Sequence, residues 1–146
     1  MRTWMTVVAA VGIAACSSTV DGPASGGCAD ITGNYEVTET VTSTTCPPSG
    51  DAADSKVHVT ISKTPDGLSL FWPNVTGGCP GTLDPASCRF QAQCEVTQNG
   101  AVAITYNADF TFSGTKFSGS MVGGAAAGIA GPNACTISET DQGTRL

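Results

Sequence analysis

Seven cysteines are the residues of this 146-residue chain with the clearest capacity for chemistry. A thiolate can act as a nucleophile or a metal ligand, and two thiols can be oxidised to a disulfide. Six of the seven, an even number, lie at residue 28 and beyond: Cys28, Cys46, Cys79, Cys88, Cys94 and Cys135. No two are spaced as Cys-x-x-Cys and the chain has one histidine, so the pattern matches no zinc site. We therefore expect three disulfides, no bound metal and an oxidising compartment.

The seventh cysteine, Cys16, follows an apolar run over residues 7–15 that begins shortly after Arg2. The run is shorter than the roughly 20 residues of a membrane-spanning helix and has the size of a signal-peptide apolar segment. The sequence Ile13-Ala14-Ala15-Cys16 resembles the lipobox of bacterial lipoproteins. The resemblance implies cleavage before Cys16, diacylglycerol on its sulfur and a further acyl chain on the new amino terminus. Two or more chains suffice for a stable membrane anchor.

This resemblance predicts an address in the bacterial cell envelope. Residue 17 is serine and not the aspartate that this family associates with inner-membrane retention, which favours the outer membrane. Residues 1–15 are then a signal peptide, and residues 16–29, small and rich in glycine, are a flexible tether. The alternative is an ordinary signal peptide with Cys16 as a free thiol.

Acidic residues outnumber basic ones by twelve to six, which gives a formal net charge of −6. Loss of Arg2 with the signal peptide makes the charge of the mature side chains −7. Such a surface repels phosphate backbones, so we expect no nucleic-acid partner. The expected contacts are a membrane, through the lipid on Cys16, and an unknown protein or small molecule.

Alternation of apolar and polar residues predicts strands along most of the chain. In the first, Tyr35, Val37, Glu39 and Val41 share one face. A hairpin follows, in which the turn at 64–67 sets Ile61 opposite Leu70 and Val59 opposite Trp72, all on one face.

Two further hairpins are predicted over residues 88–119. In the first, a three-residue loop at 98–100 keeps apolar and polar faces apart better than a two-residue loop, and it pairs Phe90 with Ala108 and Arg89 with Asp109. In the second, a turn at Gly114-Thr115 sets Phe112 opposite Phe117 and Phe110 opposite Gly119. Cys88 and Cys94 then lie on one strand about 20 Å apart, too far to pair with each other.

The predicted fold is all-β, an antiparallel meander of about seven or eight strands over residues 30–141, with a C-terminal tail at 142–146. The last strand is expected to be short, around Cys135 and Ile137. The meander must cover its apolar face, and its architecture is similar to a small lipocalin or avidin barrel; a β-sandwich is the alternative. Gly33-Asn34-Tyr35 has tyrosine where the lipocalin signature has tryptophan.

Two functional hypotheses follow. The first is a non-catalytic interaction or structural domain on a lipid tether. The second is a barrel that binds an apolar or amphipathic small molecule. The candidate ligand-lining residues are Glu39, Trp72, Tyr106 and Phe110.

Neither catalysis nor a cofactor is expected. His58 falls on the solvent face of its strand, and no nucleophile motif accompanies it. The acidic residues lie in turns or singly along strands, which predicts no carboxylate pair for acid–base chemistry.

Overall fold

The computed structural model describes residues 27–47, 55–73, 75, 77–98, 101–129 and 132–146. The predicted signal peptide, Cys16 and the tether as far as residue 26 lie outside the described residues. At the end of the predicted tether, a disulfide joins Cys28 to Cys88. The chain is therefore fixed to the domain from Cys28, two residues earlier than predicted.

Eight antiparallel strands form one closed barrel in which each strand pairs with the next and the last pairs with the first. They are β1 (Gly33–Thr44), β2 (Ser55–Thr64), β3 (Gly67–Phe71), β4 (Cys79–Asp84), β5 (Arg89–Gln98), β6 (Ala101–Ser113), β7 (Lys116–Ala125) and β8 (Cys135–Arg145). The predicted all-β meander and barrel closure are confirmed, and the β-sandwich alternative is wrong. Within the described ranges, no helix is long and apolar enough to cross a membrane.

Two of the three predicted hairpins have the expected register. Ile61 pairs with Leu70, and Thr64 also pairs with Gly67, which leaves a two-residue loop. β3 ends at Phe71, so Trp72 lies just beyond the ladder, and the predicted pairing of Trp72 with Val59 does not form. The third hairpin is confirmed, with Phe112 opposite Phe117 and Phe110 opposite Gly119.

The β5–β6 hairpin differs from its predicted register by two residues. Its loop has two residues and not three, because Gln98 pairs with Ala101. A bulge then leaves Ala103 without a partner, and beyond it Phe90 pairs with Phe110 rather than with Ala108. Beyond the bulge, this shift of two keeps the side chains on their predicted face. Hence the prediction was wrong about partners and, beyond the bulge, right about which side chains face inward.

The predicted Arg89–Asp109 pair forms on the outside of this hairpin by a different geometry. Along the ladder Arg89 faces Thr111, while Asp109 faces Gln91. The guanidinium reaches diagonally, and its Nε donates to Asp109 Oδ1 over 2.7 Å. Because a diagonal neighbour is within reach of a long side chain, the ion pair survives the change of register.

Three disulfides connect the six expected cysteines, as Cys28–Cys88, Cys46–Cys135 and Cys79–Cys94. Their Cα–Cα distances are 5.3, 4.8 and 4.5 Å. The prediction that all six pair, and that Cys88 does not pair with Cys94, is confirmed. The second of these bonds holds the segment after β1 against the start of β8.

The last strand is longer than predicted. β8 runs for 11 residues, to Arg145. The tail predicted over 142–146 is therefore wrong for residues 142–145, which belong to the strand. Arg145 Nη2 donates to Tyr35 Oη over 3.0 Å and also to the Asp30 carbonyl, while Tyr35 Oη donates to the Ile31 carbonyl over 2.7 Å. With Ile31 itself buried, these contacts close one end of the barrel, called here the closed end.

Candidate functional site

Three carboxylates converge inside the barrel, toward the end opposite the closed end. Glu39 comes from β1, and Glu139 and Asp141 come from β8. One carboxylate oxygen from each lies within 4.8 Å of the others. The ladder explains this placement, because Glu39 pairs directly with Asp141, and Glu139 lies two residues away on the same face of β8. These three residues are called the acidic triad.

The triad brings together carboxylates in which the sequence showed no obvious pair. Glu139 and Asp141 have the i, i+2 spacing of residues on one face of a strand, which was the available signal. That signal is hard to read because Ser138, Thr140 and Gln142 are also polar, so no apolar alternation marks the inner face of β8. A strand with polar residues on both sides resembles a loop in sequence.

Asp141 is the least compensated member of the triad. Its side chain is buried, with the residue 1% exposed, and among the residues described neither of its oxygens accepts a hydrogen bond. Burial, followed by the charges of Glu139 and Glu39, raises the pKa of Asp141 to about 7. Burial and then Glu39 also raise the pKa of Glu139, whose Oε2 likewise has no partner in the described part of the chain. The site concentrates negative charge that the described residues do not compensate.

Glu39, by contrast, is held by two donors. Trp72 Nε1 donates to its Oε1 over 3.0 Å, and Ser55 Oγ donates to its Oε2. Ser55 is the ladder partner of Glu39 on β2. These two bonds orient the carboxylate toward Asp141.

Aromatic side chains border the triad on the side of the apolar core. Trp72 stacks on Phe110 with ring centroids 6.1 Å apart, and Phe110 stacks in turn on Phe117 at 4.5 Å. Tyr106 is partly buried, and its pKa is raised by burial and by the charges of Glu139 and Glu39. The structure therefore brings together the four candidate ligand-lining residues that the sequence indicated, and it adds Glu139, Asp141 and Ser55.

No family model, curated protein or solved structure matches this chain. Its function is therefore inferred from the barrel interior itself.

The described lysines and arginines all lie away from the triad. They are Lys56, Lys63, Arg89, Lys116 and Arg145. Lys56 pairs with Glu36 on the outer face of the barrel and Lys63 with Asp30. Arg145 is engaged at the closed end, four residues or about 13 Å along β8 from Asp141. No side-chain cation in the described ranges neutralises the triad.

The outer surface carries the one histidine. His58 is exposed on β2 and faces Glu36 across the ladder, on the solvent side as predicted. Its side chain points away from the barrel interior, where the triad lies, because neighbouring residues on a strand point to opposite faces.

Proposed function

We propose that this chain is a lipid-anchored binding protein of the bacterial cell envelope and that its barrel binds a small cationic ligand at the acidic triad. The anchor is supported by the lipobox-like sequence before Cys16, and three disulfides fit an oxidising compartment. The observation that carries the binding role is Asp141, buried with neither oxygen hydrogen-bonded among the described residues.

The energetics of burial favour a ligand over a purely structural interior. A buried carboxylate without hydrogen bonds is costly, and two neighbouring carboxylates increase the cost. A barrel needed only as a scaffold would fill this position with an apolar side chain, as it does at Phe117 and Met121 on the adjacent strand. A bound positive charge would offset the cost of all three carboxylates.

The site is also reachable from solvent. Glu39, Glu139 and Tyr106 are partly exposed, whereas Asp141 is buried beneath them. A ligand would first meet the two glutamates and then reach Asp141. Trp72 and Tyr106 give the same site aromatic surface, so the hypothesis of an amphipathic ligand is refined to one with a positive charge.

The binding role is tested by thermal unfolding of the detergent-purified, oxidised protein in the presence of calcium, manganese, putrescine or benzylamine. At least one cation is expected to raise the melting temperature of the wild type and to have little effect on Asp141→Asn. Glu95→Gln, on the exposed face of β5, is the matched control and keeps the response. The proposal is wrong if no cation stabilises the wild type, or if Asp141→Asn responds equally.

The anchor is tested by intact mass and cell fractionation. We expect a mature chain that begins at Cys16, carries lipid and lacks six hydrogens, and that fractionates with the outer membrane. Cys16→Ala is expected to abolish lipidation. An unlipidated wild-type chain with a free thiol would contradict the anchor.

The hypothesis of a non-catalytic interaction domain has one specific support, a groove of about 630 Å³ on the outer face of β4–β7. Hydrogen-bonding side chains line much of it, among them Gln91, Gln93, Asn107 and Ser120. A photocrosslinking residue placed at Gln91 is expected to form a discrete adduct with a partner protein in cells. Thr38 on β1, outside the groove, is the control position, and an equal yield at both would contradict this role.

A further inference from the structure

We propose that the acidic triad is a binding site for one hard divalent cation, with calcium the best fit, ligated by carboxylate oxygens of Glu39, Glu139 and Asp141. This inference rests on the proposed function because it names the cation. The three carboxylates alone would not justify it. The second observation is the buried Asp141 carboxylate, which is directed at the other two and has no hydrogen-bond partner among the described residues.

The spacing of the oxygens suits an ion of this size. Three atoms no more than 4.8 Å apart all lie within about 2.8 Å of one common point. Calcium binds oxygen at about 2.3–2.6 Å and tolerates irregular geometry, so small rotations of the two glutamate side chains would complete the contacts. Magnesium needs about 2.0–2.1 Å and a near-ideal octahedron, which requires a larger contraction.

The donor set selects against softer metals. All three potential ligands are carboxylates, and carboxylate oxygen favours calcium, magnesium and manganese. Zinc and copper favour imidazole or thiolate, and the described residues supply neither here: His58 is on the outer face, and the six described cysteines are in disulfides.

Charge favours a divalent ion over an organic amine. Three carboxylates carry up to three negative charges, and a single ammonium group would leave two of them unbalanced in a largely buried site. A divalent ion leaves one. Because charge interactions strengthen as the surroundings exclude water, this difference weighs more at Asp141 than it would on the surface.

The surrounding residues have the roles expected around a metal. Trp72 and Ser55 donate to Glu39 and fix its orientation, as hydrogen-bond donors commonly do for metal-binding carboxylates. The triad offers three to six oxygens, depending on whether each carboxylate binds through one or both. Because Glu39 and Glu139 are partly exposed, water can supply the remaining ligands of a six- to eight-coordinate calcium ion.

Terbium luminescence offers a direct test, because terbium binds calcium sites and is excited by energy transfer from a nearby tryptophan. Trp72 is hydrogen-bonded to Glu39, so terbium bound at the triad would lie close to the indole ring. With the oxidised full chain we expect terbium emission on tryptophan excitation, one site per chain, and displacement of terbium by calcium.

Variants locate the site. Asp141→Asn and Glu139→Gln are expected to weaken calcium binding at least about tenfold, as measured by calorimetry. Trp72→Phe removes both the energy donor and one hydrogen bond to Glu39, so it should lose the sensitised emission and bind calcium more weakly than the wild type. Glu95→Gln should behave as wild type. Since Asp141→Asn removes a buried charge, it is expected to fold, and circular dichroism checks each variant.

Each outcome is decisive. Terbium emission that persists in Asp141→Asn and Glu139→Gln would place the metal elsewhere and overturn the inference. If calcium does not bind but putrescine stabilises the protein through Asp141, the metal assignment is wrong and the proposed function stands. If neither cation binds, both are wrong.

Discussion

The indole Nε1 of Trp72 donates a 3.0 Å hydrogen bond to Oε1 of Glu39 inside the barrel. Glu39 lies on β1 and Trp72 directly follows β3, and β2 lies between these two strands in the barrel. The same indole stacks on Phe110 of β6. Trp72 therefore links the acidic triad to the aromatic core, and a substitution in one of them is expected to affect the stability of the other.

Trp72→Phe is expected to destabilise the protein by removing this bond while it keeps an aromatic ring in place. A hydrogen bond to a charged group contributes about 1.5–3 kcal/mol. A double-mutant cycle with Glu39→Met, which removes the acceptor, measured by urea unfolding without added metal, isolates the interaction. We expect a coupling energy of about 1–3 kcal/mol, and a value near zero would show that the contact contributes nothing.

The stability of the metal-free protein is expected to fall as the pH rises from about 5 to about 8. The pKa of Asp141 is raised from 3.8 to about 7 in the folded state. Its contribution to the free energy of unfolding is therefore fully present below the pKa of the unfolded state, and it is lost as the pH rises through the pKa of the folded state. The raised pKa of Glu139 acts in the same direction. The measurement is the melting temperature in EDTA across this range.

Asp141→Asn is the matched variant and should flatten that profile. The charged groups that act on Asp141 are Glu139 and Glu39. Tyr106, which the same two glutamates influence, has a pKa raised from 10.0, above this range. Asp84 and Asp109 have lowered pKa values, so their stabilisation is lost only in more acidic solution. An equally steep profile in the variant would show that another group controls the pH dependence.

Gly119→Ala is expected to destabilise the barrel by about 1–3 kcal/mol through overcrowding. A Cβ at Gly119 would collide with the Asp109 carbonyl and would come within 2.8 Å of the Phe110 backbone. Gly124→Ala, on the same strand, is the control, because its nearest neighbour is 3.6 Å away. Chemical denaturation should separate the two, and equal costs would contradict the close packing of Phe110 against β7.

Peptide mapping under non-reducing conditions is expected to recover the pairs Cys28–Cys88, Cys46–Cys135 and Cys79–Cys94. Sequence spacing could exclude only the Cys88–Cys94 bond, because that exclusion needs just the length of one strand. The remaining pairings depend on which strands become neighbours. A peptide linking Cys88 to Cys94 would contradict both the predicted strand and the observed barrel.

Much of the fold could be predicted because local alternation determines strands and faces. Phe112 and Phe117 flank a turn whose residues suit it, so their register was correct. The β5–β6 register was not, since the shorter loop and the bulge each shift the pairing by one residue, and together they leave the faces unchanged beyond the bulge. Periodicity alone does not locate such an insertion.

Only one of the three triad residues could be predicted from the sequence to face the barrel interior. Glu39 was recognised as inward-facing because apolar residues alternate around it, but β8 has no such neighbours beside Glu139 and Asp141. Their proximity to Glu39 depends on barrel closure, which pairs the first strand with the last over about 100 residues of chain. A long-range pairing of polar residues leaves little trace in a single sequence.

Arg145, in the segment predicted to be a tail, is expected to be important for stability. Its guanidinium lies 5.5 Å from the centre of the Tyr35 ring and donates to both Tyr35 Oη and the Asp30 carbonyl. Arg145→Met should cost about 1–3 kcal/mol, since it removes these bonds and the cation–π contact while it keeps an apolar stem. Lys116→Met, at an exposed position, should change stability by no more than about 0.5 kcal/mol. If urea unfolding gives the two variants the same stability, the side chain of Arg145 does not contribute to holding the closed end.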